Sequence, residues 1–111
     1  MKNKYIYNAT LNYVHDGDTI NVDFDLGFGI FFKNQNVRLY GINAPELKGI
    51  TKESAILSKQ RLTQLLDGQN IIIETLKDKK GKYGRWLGKI YVNDSLINDI
   101  LINENLAIPY L

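Results

Sequence analysis

Four short stretches of the chain carry side chains able to bind a cation or a phosphate and to move a proton. Asp16-Gly17-Asp18-Thr19 places two carboxylates on either side of a glycine. Hard cations such as Ca²⁺ take oxygen ligands in flexible geometry, and such a turn can supply one. Read alone, it is as readily a polar turn, with Asp capping its own backbone and Gly accepting φ > 0. Val37-Arg38-Leu39 sets a guanidinium in an apolar strand end, where it must find a partner or reach a rim. A structural ion pair would satisfy it as well as a ligand. Gly41-Ile42-Asn43-Ala44-Pro45-Glu46 follows directly and offers an amide oxygen, backbone carbonyls and a carboxylate on a proline-stiffened loop. A metal with a water-activating base needs this mixture, although a plain loop with an exposed Glu reads the same. Lys82-Tyr83-Gly84-Arg85 joins a cation, an aromatic ring, a turn glycine and an arginine. Arg binds phosphate oxygens through a planar fork and Tyr can stack on a base. A solvated basic hairpin tip has the same composition.

Eleven lysines but only three arginines, Arg38, Arg61 and Arg85, mark the chain, so arginine is kept where a fork is needed. The net charge of +2 is too small to prove a nucleic-acid partner by itself. The absence of cysteine removes disulfides and thiolate chemistry, and with a single histidine it rules out a Cys/His zinc site. No apolar run approaches the roughly 20 residues that cross a bilayer. The N-terminus is too polar for a secretory h-region, so the sequence as it stands reads as cytoplasmic, or as secreted if a signal was removed.

The elements that must position these groups are legible from periodicity. Residues 5–14 form a first strand, and His15-Asp16-Gly17-Asp18 a tight turn. Thr19 to Asp25 alternates Ile20, Val22 and Phe24 against a polar, wet face. Leu26 to Phe32 turns the chain into a third strand reaching about Tyr40, and Gly41 to Ile50 is a loop. A helix follows, with Thr51 as N-cap, Glu53 in the first turn, Ala55, Leu62, Leu65 and Leu66 buried, and Asp67-Gly68 at its end. Gln69 to Leu76 is a fourth strand, Asp78 to Gly84 a basic loop, Arg85 to Val92 a fifth strand, and Leu96 to about Asn105 a second helix. With no linker or repeat, residues 1–111 read as one domain. Five strands with a helix between the third and fourth predict a β-rich α+β fold, a five-stranded OB-type Greek-key barrel with two helices.

In this order, and on the strand ends of such a barrel, the four stretches resemble the staphylococcal nuclease family across nearly the whole chain. Leu87 to Val92, Asn98 and Leu106-Ala107 fit as well. The resemblance implies a calcium-dependent nuclease that hydrolyses DNA and RNA and leaves 3′-phosphates. It implies Asp18, Asn43 and the Ala44 carbonyl as Ca²⁺ ligands. Glu46 would position or deprotonate the attacking water, and Arg38 and Arg85 would grip the scissile phosphate. Lys82, Tyr83 and Tyr110 would contact the nucleotide, and the chain would act as a monomer without a membrane. Asn43 departs from the family's usual Asp, which removes one negative charge from the site. Trp86, beside Arg85, is read as packing, and His15 and Arg61 as solvated. The alternative is a catalytically weak or inactive nuclease-like module that binds nucleic acid or protein. A plain single-strand-binding OB module would show more aromatics on one barrel face and no carboxylate set.

Overall fold

The computed structural model describes residues 5–45, 52–80 and 84–110. Along the chain run β1 (Ile6–Asp16), β2 (Thr19–Asp25), β3 (Phe31–Leu39), β4 (Ile42–Asn43) and α1 (Lys52–Leu66). They are followed by β5 (Ile71–Lys80), β6 (Trp86–Val92), β7 (Ser95–Leu96), α2 (Ile97–Asn103) and β8 (Ile108–Pro109). The long strands lie in the order β3-β2-β1-β5-β6, and the sheet closes because β3 also pairs with β6, in parallel. The result is a closed five-stranded barrel with two helices, the OB-type fold expected. Closure removes the exposed edges that a short open sheet would present.

Side chains at period two fill the barrel. Ile20, Val22, Val37, Leu39, Ile71, Ile73 and Ile90 are fully buried inside it. Leu62 and Leu66 of α1 and Leu101 of α2 complete this core. The buried stripe of α1 is Ala55, Ser58, Leu62 and Leu66, with Leu65 packed partly against it. Thr51, expected as its cap, lies outside the described residues. Asn98 of α2 is buried and ties the helix to the barrel seam. Its Oδ1 accepts the Ile90 N–H at 3.0 Å, and its Nδ2 donates to the Tyr40 carbonyl at 2.8 Å. Among the described residues no helix is long and apolar enough to cross a membrane.

The structure corrects three local expectations. β2 has no wholly wet face, since Thr19 and Asn21 are each only 2% exposed. β2 is flanked by β1 and β3, whose Asn12, Asn34 and Asn36 side chains bond to Asn21 and satisfy its amide. The supposed loop after Tyr40 contains β4, which pairs antiparallel with β8, Ile42 opposite Pro109 and Asn43 opposite Ile108. Two-residue ladders are too short to leave a periodic trace. β5 also runs to Lys80, where a loop from Asp78 was expected. A hairpin arm with little to bury shows no apolar alternation.

Candidate functional site

The site starts at the junction of β1 and β2, where only Gly17 and Asp18 intervene between the strands. Gly17 is not among the positive-φ residues, so the turn does not use glycine for a left-handed backbone. A Cβ at Gly17 would lie 2.7 Å from Ser58 Cβ and 2.8 Å from Ala44 Cβ. The missing side chain lets the turn, α1 and the segment after β4 meet in contact. Gly17→Ala should therefore destabilise the fold by about 1–3 kcal/mol through overpacking. The check is a lowered urea midpoint with an unchanged m-value.

That contact seats Asp18, which is 7% exposed. Its Oδ2 accepts the Ala44 N–H at 2.9 Å and its Oδ1 accepts the Thr19 hydroxyl at 3.1 Å. Burial alone would raise its carboxyl. The bond with Asp16, the Ala44 N–H, the Arg38 charge and the Thr19 hydroxyl outweigh burial and hold it below the usual carboxylate value. Asp16 moves the other way, raised by burial and by the bond and charge of Asp18. The two carboxyls titrate as a pair, with Asp18 pushed down and Asp16 pushed up.

Two arginines converge on Asp18-Thr19 from different strands. Arg38 stands opposite Thr19 in the β2–β3 ladder. Its Nη1 donates to the Leu39 and Ile42 carbonyls at 3.3 and 3.0 Å, and its Nη2 to Asn43 Oδ1 at 3.0 Å. Nη2 also lies 3.6 Å from Asp18 Oδ2. Those bonds fix the guanidinium plane, and among the described residues they leave its Nε edge uncommitted. Arg85, just ahead of β6, donates from Nη1 to Thr19 Oγ1 at 3.4 Å. Thr19 thus bridges Arg85 to Asp18, a role sequence reasoning missed because Thr19 read only as part of the turn. The β4–β8 ladder holds Asn43, and the Tyr110 N–H donates to the Gly41 carbonyl at 2.8 Å. The Tyr110 ring then lies against Arg38, with the guanidinium carbon 5.5 Å from its centroid.

Asp18, Arg38, Asn43, Ala44, Arg85 and Tyr110 therefore come together on one rim of the barrel. Glu46, Lys82 and Tyr83 lie outside the described residues. Among the described residues no three His, Cys, Asp or Glu side chains cluster. The Asp18 carboxylate, the Asn43 amide oxygen and the Ala44 carbonyl form a set of mixed oxygen donors, and its chemistry fits a hard cation. Trp86 packs: its ring meets Phe32 edge-on at 6.3 Å and its Nε1 donates to Gln35 Oε1 at 3.0 Å. Arg61 is partly buried and not merely solvated as expected, because it grips Glu104 through Nε and Nη2 at 2.7 and 3.0 Å.

Residues 36–111 match the family model described as staphylococcal nuclease homologue. The chain is 34% identical over 101 residues to a protein named thermonuclease from Staphylococcus hyicus, covering 85% of this chain and 54% of that one. It is 32% identical over 101 residues to a thermonuclease from Staphylococcus intermedius, with the same coverage. It is also 30% identical over 108 residues to endonuclease YncB from Bacillus subtilis, covering 94% of this chain and 48% of that one. The chain thus spans about half the length of the curated relatives it matches.

Proposed function

The chain belongs to the staphylococcal nuclease family, and from that premise we propose that it is a calcium-dependent phosphodiesterase cutting DNA and RNA to leave 3′-phosphates. The observation that carries this reading is the meeting of Arg38, on β3, and Arg85, just ahead of the neighbouring β6, on Asp18-Thr19. Two guanidiniums fixed before substrate arrives can neutralise the charge that grows on phosphorus as it becomes five-coordinate, without reorganising. Asp18, Asn43 and the Ala44 carbonyl are the residues that would hold Ca²⁺, which when bound supplies Lewis acidity and orients phosphate and water. Glu46, three residues after Asn43, is the carboxylate we assign to the attacking water. Lys82, Tyr83 and Tyr110 are assigned to the nucleotide.

The names of the relatives, thermonuclease and endonuclease, support the same class of substrate. The test is incubation of the full chain with heat-denatured DNA or with RNA. Calcium is expected to give fragments ending in 3′-phosphate, and excess chelator to abolish them. Undiminished cutting in chelator would remove the metal from the mechanism. Binding without cutting in either condition would favour the nuclease-like binding module, the reading that Asn43 supports by lowering the charge of the cation site.

A further inference from the structure

Beside Arg85 opens a cleft of about 290 Å³, lined by Tyr13, His15, Thr19, Asn36 and Arg85. Tyr13, His15 and Asn36 have no part in the phosphate and cation chemistry already described, yet they border it. Tyr13 and His15 are exposed on β1 while Val14 between them is buried, so both point to the outer face of the barrel. The β1–β2 register shifts on each side of them, between Leu11 and Tyr13 and between Val14 and Asp16. Irregularities of this kind re-aim side chains and are common beside active sites. Asn36 lies two residues before Arg38 and opposite Asn21 in the next ladder. The buried Asn21 amide donates to Asn36 Oδ1 at 2.9 Å. Asn36 is exposed, and because its oxygen already accepts from Asn21, its NH₂ group is the end left to donate.

The cleft thus has a half-exposed aromatic ring, an amide donor, an imidazole and a phosphate-binding guanidinium, all carried by or adjoining strands of a closed barrel. Resting on the nuclease reading, we propose that this cleft holds the nucleoside on one side of the scissile phosphate, its base stacked on Tyr13 and a base carbonyl accepting from Asn36. Arg85 borders this cleft, whereas Arg38 borders the Tyr110 ring. A strand whose phosphate lies between the two guanidiniums would meet one aromatic side chain on each flank. Base–aromatic stacking tolerates any base. The Asn36 donor does not, because thymine, uracil, cytosine and guanine carry a carbonyl and adenine carries none.

The test uses the dinucleotide TpT and two analogues, each lacking one base, cut by the wild-type chain and by Tyr13→Ala. Tyr13 is 52% exposed, so its truncation leaves the core intact. KM for TpT should rise about tenfold in the variant with kcat little changed. The rise should persist when one base is missing and vanish when the other is. Equal KM in both proteins for all three substrates would overturn the proposal, as would an equal loss on all three. A second measurement needs no cutting: fluorescence anisotropy of labelled oligothymidylate and oligoadenylate, titrated with protein in excess chelator. Oligothymidylate should bind the wild-type chain more tightly than oligoadenylate, and Tyr13→Ala should bind it about tenfold more weakly. If the chain cuts nothing yet shows this difference, the nuclease reading falls and the cleft stands. If it cuts without the difference, the cleft falls and the nuclease reading stands. Equal affinity for the two oligomers would remove Asn36 from the site.

Discussion

Replacing Arg38 or Arg85 by lysine is expected to lower turnover by about 10²–10³ while the chain stays folded. Lysine keeps the positive charge, so charge alone would leave each variant active. What is lost is the planar fork, which meets two phosphate oxygens at once and needs little ordering when substrate binds. Neither position reports the fork alone. Arg38 also holds the Leu39 and Ile42 carbonyls, so part of its loss will come from a loosened β4 segment. Arg85 donates to Thr19 at 3.4 Å, so part of its loss will likewise come from the loosened bridge to Asp18. If both guanidiniums act on one phosphate, as proposed, the double variant should lose less than the product of the single losses. Arg61→Lys is the control. Arg61 pairs with Glu104 away from the rim, and its turnover should match the wild type. Kinetics on denatured DNA, alongside circular dichroism and urea unfolding, reads both quantities. Near-wild-type turnover in a folded Arg85→Lys chain would show that Arg85 does not clamp the phosphate.

The barrel is legible because its long strands alternate over seven or more residues and its helix repeats an apolar stripe. β2 runs from Thr19 to Asp25 in the structure as in the periodicity. What alternation cannot reveal is which outer face a neighbour covers. Asn21 looks wet and is buried, because its bonds to Asn12, Asn34 and Asn36 depend on the register with β1 and β3, which alternation within β2 does not contain. The same blindness explains β4 and β8. They lie about 65 residues apart, and their pairing brings Asn43 and Tyr110 to Arg38. Gly17 stands out in the sequence as a turn former, but its real constraint is a missing Cβ, which appears only once Ser58 and Ala44 stand around it. At Leu26 to Phe32 the glycines mark the turn correctly, but nothing local shows that its apolar side chains face outward, Phe28 wholly exposed. The candidate site is readable as residue types, because carboxylate, amide and guanidinium each have limited uses. Which of them bridge to which is not readable, and Thr19 between Asp18 and Arg85 is the example.

Asn43→Asp should tighten calcium binding by roughly tenfold or more, because it returns a formal charge to the ligand set. Its effect on turnover at saturating calcium should be opposite in sign. Asn43 Oδ1 already accepts Arg38 Nη2 at 3.0 Å, and an amide oxygen has a second lone pair with which to meet a cation. A carboxylate at this position would strengthen both interactions. The bond to Arg38 would become charge-assisted, about twice as strong as its neutral counterpart, and would offset part of the positive charge that the guanidinium presents to the phosphate. The neutral amide therefore trades cation affinity for an arginine whose full charge remains available to the substrate. Isothermal calorimetry with calcium alone measures the first effect without any turnover, and initial rates across a calcium titration measure the second. Unchanged affinity would mean that residue 43 braces Arg38 and does not ligate the cation. Tighter binding with faster turnover would show that offsetting the Arg38 charge does not limit the reaction. A wild-type chain that binds no calcium and cuts nothing, beside an Asn43→Asp chain that does both, would make the single missing charge the difference between a binding module and an enzyme.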